Sequence, residues 1–201
     1  MKKRMIAAAL AALCLALLAG CAGVPTQAAD GAAWSEDWTT LGGVLGAEPP
    51  ENGLTLQDNN TALAAADMYY AFWTVGEPAA YTNEDGDEVQ LYAARLDLLV
   101  CGCKSADAAR ETVADWQARQ QEPYTVDEAR VEQRNGQEYT VAAHTCDSDA
   151  NPYSRGVTAF AVVGSYAISA ELNCQAEFAG DEEAMLAEFL EHCHYSASAA
   201  K

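Results

Sequence analysis

The sequence predicts an α+β fold, a mostly antiparallel sheet packed with two amphipathic helices. Three observations carry this: a Gly164-Ser165 turn inside VTAFAVVGSYAISAELNC, an Asn135-Gly136 turn inside ARVEQRNGQEYTVAAHTC, and two segments of helical apolar period. Glycine at the first central position suits a two-residue type II′ turn, and Asn-Gly is the preferred pair for type I′.

Taken in order, LTLQD and MYYAFWTV read as strands, rich in the aromatic and β-branched types that pack on a pleated surface. A further hairpin is expected at Asp85-Gly86, between AAYTN and EVQLYAARLDLLVC. Ser105 to Gln121 places Ala106, Ala109, Val113 and Trp116 on one helical stripe, with Ser105 as N-cap and Pro123 just beyond the end. The Gly164-Ser165 turn fixes a register in which Val163 pairs with Tyr166, Ala161 with Ile168, Ala159 with Ala170 and Val157 with Leu172. That face is apolar. The opposite face carries Thr158, Ser169, Glu171 and Asn173 and is expected to be largely wet. Asp181 to His194 closes the chain as a helix with Leu186, Phe189, Leu190 and Cys193 on one stripe, Glu182 and Glu183 at its positive end, and His192 and His194 at its negative end.

Ahead of this domain, Lys2, Lys3 and Arg4 precede the apolar stretch Met5 to Leu18. The stretch is shorter than the roughly 20 residues a bilayer span requires, and it reads as an export signal. Leu17-Leu18-Ala19-Gly20-Cys21 resembles the lipobox of bacterial lipoprotein precursors. The resemblance implies cleavage before Cys21 and diacylglyceryl attachment to its sulfur; two acyl chains hold a protein stably on a bilayer. The expected organisation is a signal peptide at 1–20, lipidated Cys21 with a flexible tether at 21–33, and one domain at 34–201. The tether has a reach on the order of 20 Å. The expected location is the extracytoplasmic face of the cell membrane.

Loss of the leader removes three cations and no acid, because the first acid is Asp30, so a net charge of −19 becomes −22. Phosphate binding needs clustered Lys and Arg, which excludes most nucleic-acid partners. Attachment to the bilayer must then come from the lipid on Cys21 and not from an acidic surface. About 180 residues suffice for one domain with a sizeable core.

The order of strands, helix, two hairpins and closing helix from Leu54 to Tyr195 resembles the PsbP-like fold, an antiparallel sheet between helices. The resemblance implies a fold better known for docking than for catalysis, shared by photosystem extrinsic subunits and bacterial lipoproteins of unassigned role.

Once the leader and Cys21 are set aside, Cys101, Cys103, Cys146, Cys174 and Cys193 remain. An exported compartment permits disulfides, and the odd count leaves at least one thiol over. Following strand directions, Cys146 and Cys174 fall at one end of the sheet and Cys101, Cys103 and Cys193 at the other. Disulfides are therefore expected between Cys146 and Cys174, and between Cys193 and either Cys101 or Cys103; buried free thiols are the alternative. The second group, with His192 and His194, also holds ligand types that zinc takes, although CGC and HCH lack the usual spacing. Asp147, Asp149 and Asn151 alternate like the start of a calcium loop, but Pro152 stands where glycine is needed and no glutamate closes it. NEDGDE fails the same template.

No nucleophile elbow, P-loop, HExxH or dinucleotide fingerprint is present. His144 lies two residues from Cys146 without an orienting acid in view. Tyr69, Tyr70, Phe72 and Trp73 could line a ligand groove, though strand packing explains them more simply. The expected function is a membrane-anchored binding or docking module for an envelope protein or small ligand, acting without catalysis or cofactor. The competing class is a thiol- or metal-dependent activity at Cys101, Cys103 and Cys193.

Overall fold

The computed structural model describes residues 32–33, 53–60, 68–83, 85–120, 124–148, 151–193 and 198–199. The leader, Cys21 and nearly all of the expected tether lie outside the described residues. The strands are β1 (Ala32–Ala33), β2 (Thr55–Asn60), β3 (Met68–Val75), β4 (Ala79–Thr82), β5 (Glu88–Leu91), β6 (Ala94–Gly102), β7 (Thr125–Val126), β8 (Arg130–Arg134), β9 (Gln137–Thr145), β10 (Arg155–Val163), β11 (Tyr166–Cys174) and β12 (Ser198–Ala199). Helix α1 (Ala106–Arg119) follows β6, and α2 (Glu182–Glu191) follows β11. The main sheet runs β2-β3-β6-β11-β10-β9-β7, with β8 also on β9, and every described pairing is antiparallel. This is the expected α+β class.

Local chemistry accounts for the turns. Asn135 and Gly136 both have positive φ, at 46° and 77°, as type I′ demands, and the β8-β9 register follows from them. Gly164 takes φ 58° with Ser165 outside the left-handed region, and the β10-β11 register matches the four pairs expected from the turn. The Asp85-Gly86 turn also forms, but its strands β4 and β5 make a separate two-stranded ribbon. There the Asn83 carboxamide oxygen accepts from the Asp85 and Asp87 amides at 3.1 and 2.8 Å, an Asx arrangement that closes the turn within itself.

The helices lie on opposite faces of the sheet. On one face Trp73, Leu96, Leu98, Val157, Ile168 and Leu172 pack with Phe189, Leu186, Leu190 and Cys193 of the α2 layer. Full burial of each large side chain contributes about 1.5–3 kcal/mol, whereas an exposed ion pair contributes about 0–1 kcal/mol. The apolar stripe therefore holds α2 more than its flanking salt bridges do. On the other face Met68, Leu99, Phe160 and Ala167 pack with Ala109 and Trp116 of α1. This second face was expected to be largely wet; instead Thr158 is fully buried and one end of the face is a second core. A helix arriving from the β6 end covers it. Both caps form: Ser105 accepts from the Ala108 amide, and Asp181 from the Ala184 amide.

Candidate functional site: a polar belt and a groove

The part of the α1-side face beyond that helix carries a belt of polar side chains. Strand parity places them: Arg95 lies opposite both Thr74 and Asn173, Asp97 opposite Glu171, Thr158 opposite Glu171, and Gly156 opposite both Asn173 and His144. At one end, the Arg95 Nε and Nη2 donate to Asp97 at 2.9 and 2.8 Å, and Nη2 also donates to the Tyr70 hydroxyl at 2.5 Å. That hydroxyl donates to Asp97, and the guanidinium stands 4.4 Å over the Phe72 ring. Burial, then the Asp97 charge, pushes the Tyr70 hydroxyl above its ordinary range. Burial opposes the Arg95 charge, but Asp97 outweighs it and keeps the guanidinium protonated.

At the other end His144 has a fully buried side chain. The bonds around it form one directional chain. Gln120, the C-cap of α1, donates to Thr158 Oγ1, which lies 3.5 Å from His144 Nδ1. His144 Nε2 lies 3.1 Å from Asn173 Oδ1, and Asn173 Nδ2 donates to Glu171 at 3.0 Å. The imidazole tautomer with its proton on Nε2 lets each member of this chain donate or accept in turn. Tyr124 meets the ring edge-on at 4.8 Å and accepts from Asn151 Nδ2. Burial, then the Glu171 charge, moves the Tyr124 hydroxyl up to about 12. Burial likewise raises Glu171. Gly156 makes the site possible, because a Cβ there would stand 2.6 Å from His144 Nε2 and closer still to the Leu172 carbonyl. His144 and Cys146 share this face, yet both ring nitrogens face Asn173 and Thr158 and not the thiol. Their contacts fit cross-strand anchoring, not a nucleophile and base.

The second feature is a groove of about 290 Å³ on the α2 side, between that helix and β8. Its floor is Val141, Leu186 and Leu190, and its rim is Arg130, Arg134 and Glu183. Arg130 bonds Glu132 and Glu183 at 2.7 Å each, and Arg134 reaches Glu132 and Glu191 at 2.7 and 3.6 Å. The volume sits at the lower end of ligand pockets, which run roughly 300–1,000 Å³.

Both expected disulfides require correction. Cys146, Cys174, Cys103 and Cys193 are buried and their sulfurs form no disulfide, so neither expected pair is made. Cys174 follows Leu172 onto the α2 face and Cys146 follows His144 onto the α1 face, with β10 between their strands. Two strand spacings of about 4.8 Å exceed the 4.4–6.8 Å that a disulfide spans. Burial pushes the Cys174 thiol up to about 12. The expected heights of Cys101, Cys103 and Cys193 hold: Cys103 donates its amide to Ser165 at one hairpin tip, and the Cys193 carbonyl accepts from Asn135 at the other. Their faces do not. Cys101 and Cys103 pack with α1, and Cys193 packs in the α2 layer, so the sheet divides the proposed cluster. His192 caps α2, and His194 lies outside the described residues. Among the described residues no three His, Cys, Asp or Glu side chains converge as metal ligands. Asp149 is also outside the described residues, Asp147 is exposed, and Asn151 accepts from the Tyr153 amide, acting as a loop staple.

Tyr70, Arg95, Asp97 and Gln120 were not singled out from sequence as belt members. The legible signal was the polar alternation of Arg95-Asp97 on β6 beside Glu171-Asn173 on β11. Of the four aromatics considered for a groove, Trp73 lies in the α2-side core, Tyr70 and Phe72 lie in the belt, and the side chain of Tyr69 is outside what is described.

No family model and no curated protein matches this chain. Among solved structures, the extracellular domain of PknH from Mycobacterium tuberculosis is similar at 12% identity and TM-score 0.37, over 74% of this chain and 67% of that one. PsbP (CyanoP) from Synechocystis sp. PCC 6803 is similar at 10% identity and TM-score 0.31, over 63% of this chain and 82% of that one. These likenesses are weak and carry nothing about ligand or activity. The α+β class, an antiparallel sheet with one helix on each face, stands on the chain's own structure.

Proposed function

We propose that this chain is a membrane-anchored extracytoplasmic lipoprotein whose folded domain is a non-catalytic binding or docking module. The observation that carries the address is the run Leu17-Leu18-Ala19-Gly20-Cys21 behind Lys2, Lys3 and Arg4. The binding half is supported by the groove beside α2, which offers an aliphatic floor under a charged rim. The partner is an envelope protein or small ligand that inserts an apolar group there. The competing thiol- or metal-dependent activity needs Cys101, Cys103 and Cys193 on one side of the sheet, and they occupy two.

Metabolic palmitate labelling tests the anchor: the label is expected on the wild-type chain and absent from Cys21→Ser, and undiminished label in that variant refutes it. For the groove, a photo-reactive residue at Ala187 is expected to capture one reproducible partner in cells. The same group at Thr82, on the separate ribbon, is expected to capture none, and equal capture at both sites rejects the groove.

A further inference from the structure

We propose that the β8 edge is a self-recognition surface, which pairs antiparallel with β8 of a second copy of this chain about Val131. Three observations meet there. First, Val131 is 64% exposed, the most exposed large apolar side chain among the described residues. Second, the hairpin sets which backbone groups face outward. Arg134 and Gln137 flank a two-residue turn and form a hydrogen-bonded pair, so Glu132 and Arg130 also bond inward to β9. Val131 and Gln133 therefore point their N–H and C=O away from the sheet.

Third, the charges along this edge match themselves in one register. With Val131 opposite Val131, Arg130 of each copy meets Glu132 of the other, and Arg134 meets Glu128 in the β7-β8 connection. Shifting the centre to Glu132 sets Glu132 against Glu132 and Arg130 against Arg134, and like charges directly opposite are unfavourable. Centring on Gln133 leaves Val131 facing the polar Asn135. Charged edges normally keep foreign strands away. Alternating signs make a second copy the strand that this edge admits. The ion pairs select register more than they add affinity, and the contact is short, so the association is weak and concentration-dependent.

Cysteine cross-linking of the full-length chain in detergent tests the register. Residues directly opposite in a hydrogen-bonded antiparallel pair have Cα atoms about 5.5 Å apart, within disulfide reach. Under mild oxidant, Val131→Cys is expected to form a covalent dimer about tenfold faster than Val89→Cys, a 40% exposed control on the β4-β5 ribbon. Arg130→Glu in the Val131→Cys chain is expected to slow the reaction about tenfold. Adding Glu132→Arg is expected to restore it, although Arg130 no longer ties Glu183; far-ultraviolet circular dichroism checks that each variant folds. Equal rates for Val131→Cys and Val89→Cys overturn the surface. No recovery in the charge-swapped chain, or faster reaction of Gln133→Cys than Val131→Cys, overturns the register.

Discussion

The two faces of the sheet are built on different physics. On the α2 side every second residue of β6 and β11, and of β10 from Val157 onward, is apolar or glycine, and Met185, Leu186, Phe189 and Leu190 of α2 fill the layer. On the α1 side the helix buries only Ala109 and Trp116, and beyond it the strands are joined by Arg95, Asp97, Glu171, Asn173 and His144. The first face is stabilised by area removed from water, an effect without a preferred direction. The second depends on hydrogen bonds that must all be satisfied together, since a half-satisfied buried network costs more than an apolar one. In this sheet the ionisable groups of the interior are held by hydrogen bonds to one another across the strands.

Three substitutions sharpen or break this contrast. The largest effect is expected from Phe189→Ala, which empties the space against Trp73, whose ring it meets edge-on at 4.8 Å. A loss of about 3–5 kcal/mol is expected in denaturant unfolding. A loss below 1 kcal/mol would mean that the α2 layer is not the main core.

Gly156→Ala comes next, with about 1–3 kcal/mol lost to overpacking against His144 and the Leu172 carbonyl. Pairing it with His144→Ala should recover only part, because the carbonyl stays in place. Full recovery would place the whole strain on the imidazole.

Glu171→Gln is expected to have the smallest effect and a distinctive pH dependence. Burial raises this carboxyl, so the folded chain holds the proton that the unfolded chain releases near pH 4.3. Stability contributed by this group is therefore present in acid and falls as pH rises from that value through the raised one. The glutamine variant should match wild type at pH 4 and equal or exceed it at pH 7 in thermal melts. A variant less stable at pH 7 alone would show that the charged carboxylate holds the belt together.

Much of the fold was legible because its signals are local. The Gly164-Ser165 and Asn135-Gly136 registers, the Ser105 cap and the Leu186-Phe189-Leu190 stripe each follow from a few neighbouring residues. The belt was half legible: Thr158, Glu171 and Asn173 stood out as a polar face, but its burial depended on which side α1 crossed. The cysteine pairing went astray at the same point. Chain direction gave each thiol its height, and alternation already separated Cys174, in step with Leu172, from Cys146, in step with His144.

The sequence by itself determined turns, registers, caps and the apolar stripe of each helix, because these are set by dihedral preferences and by periods of 2 and 3.6 residues. Only the tertiary structure decided that the two helices lie on opposite sides of the sheet, and with that which polar groups are buried and which cysteines are kept apart. The physical reason is that a strand's period fixes which residues share a face, whereas the path of the connection fixes what comes to cover it.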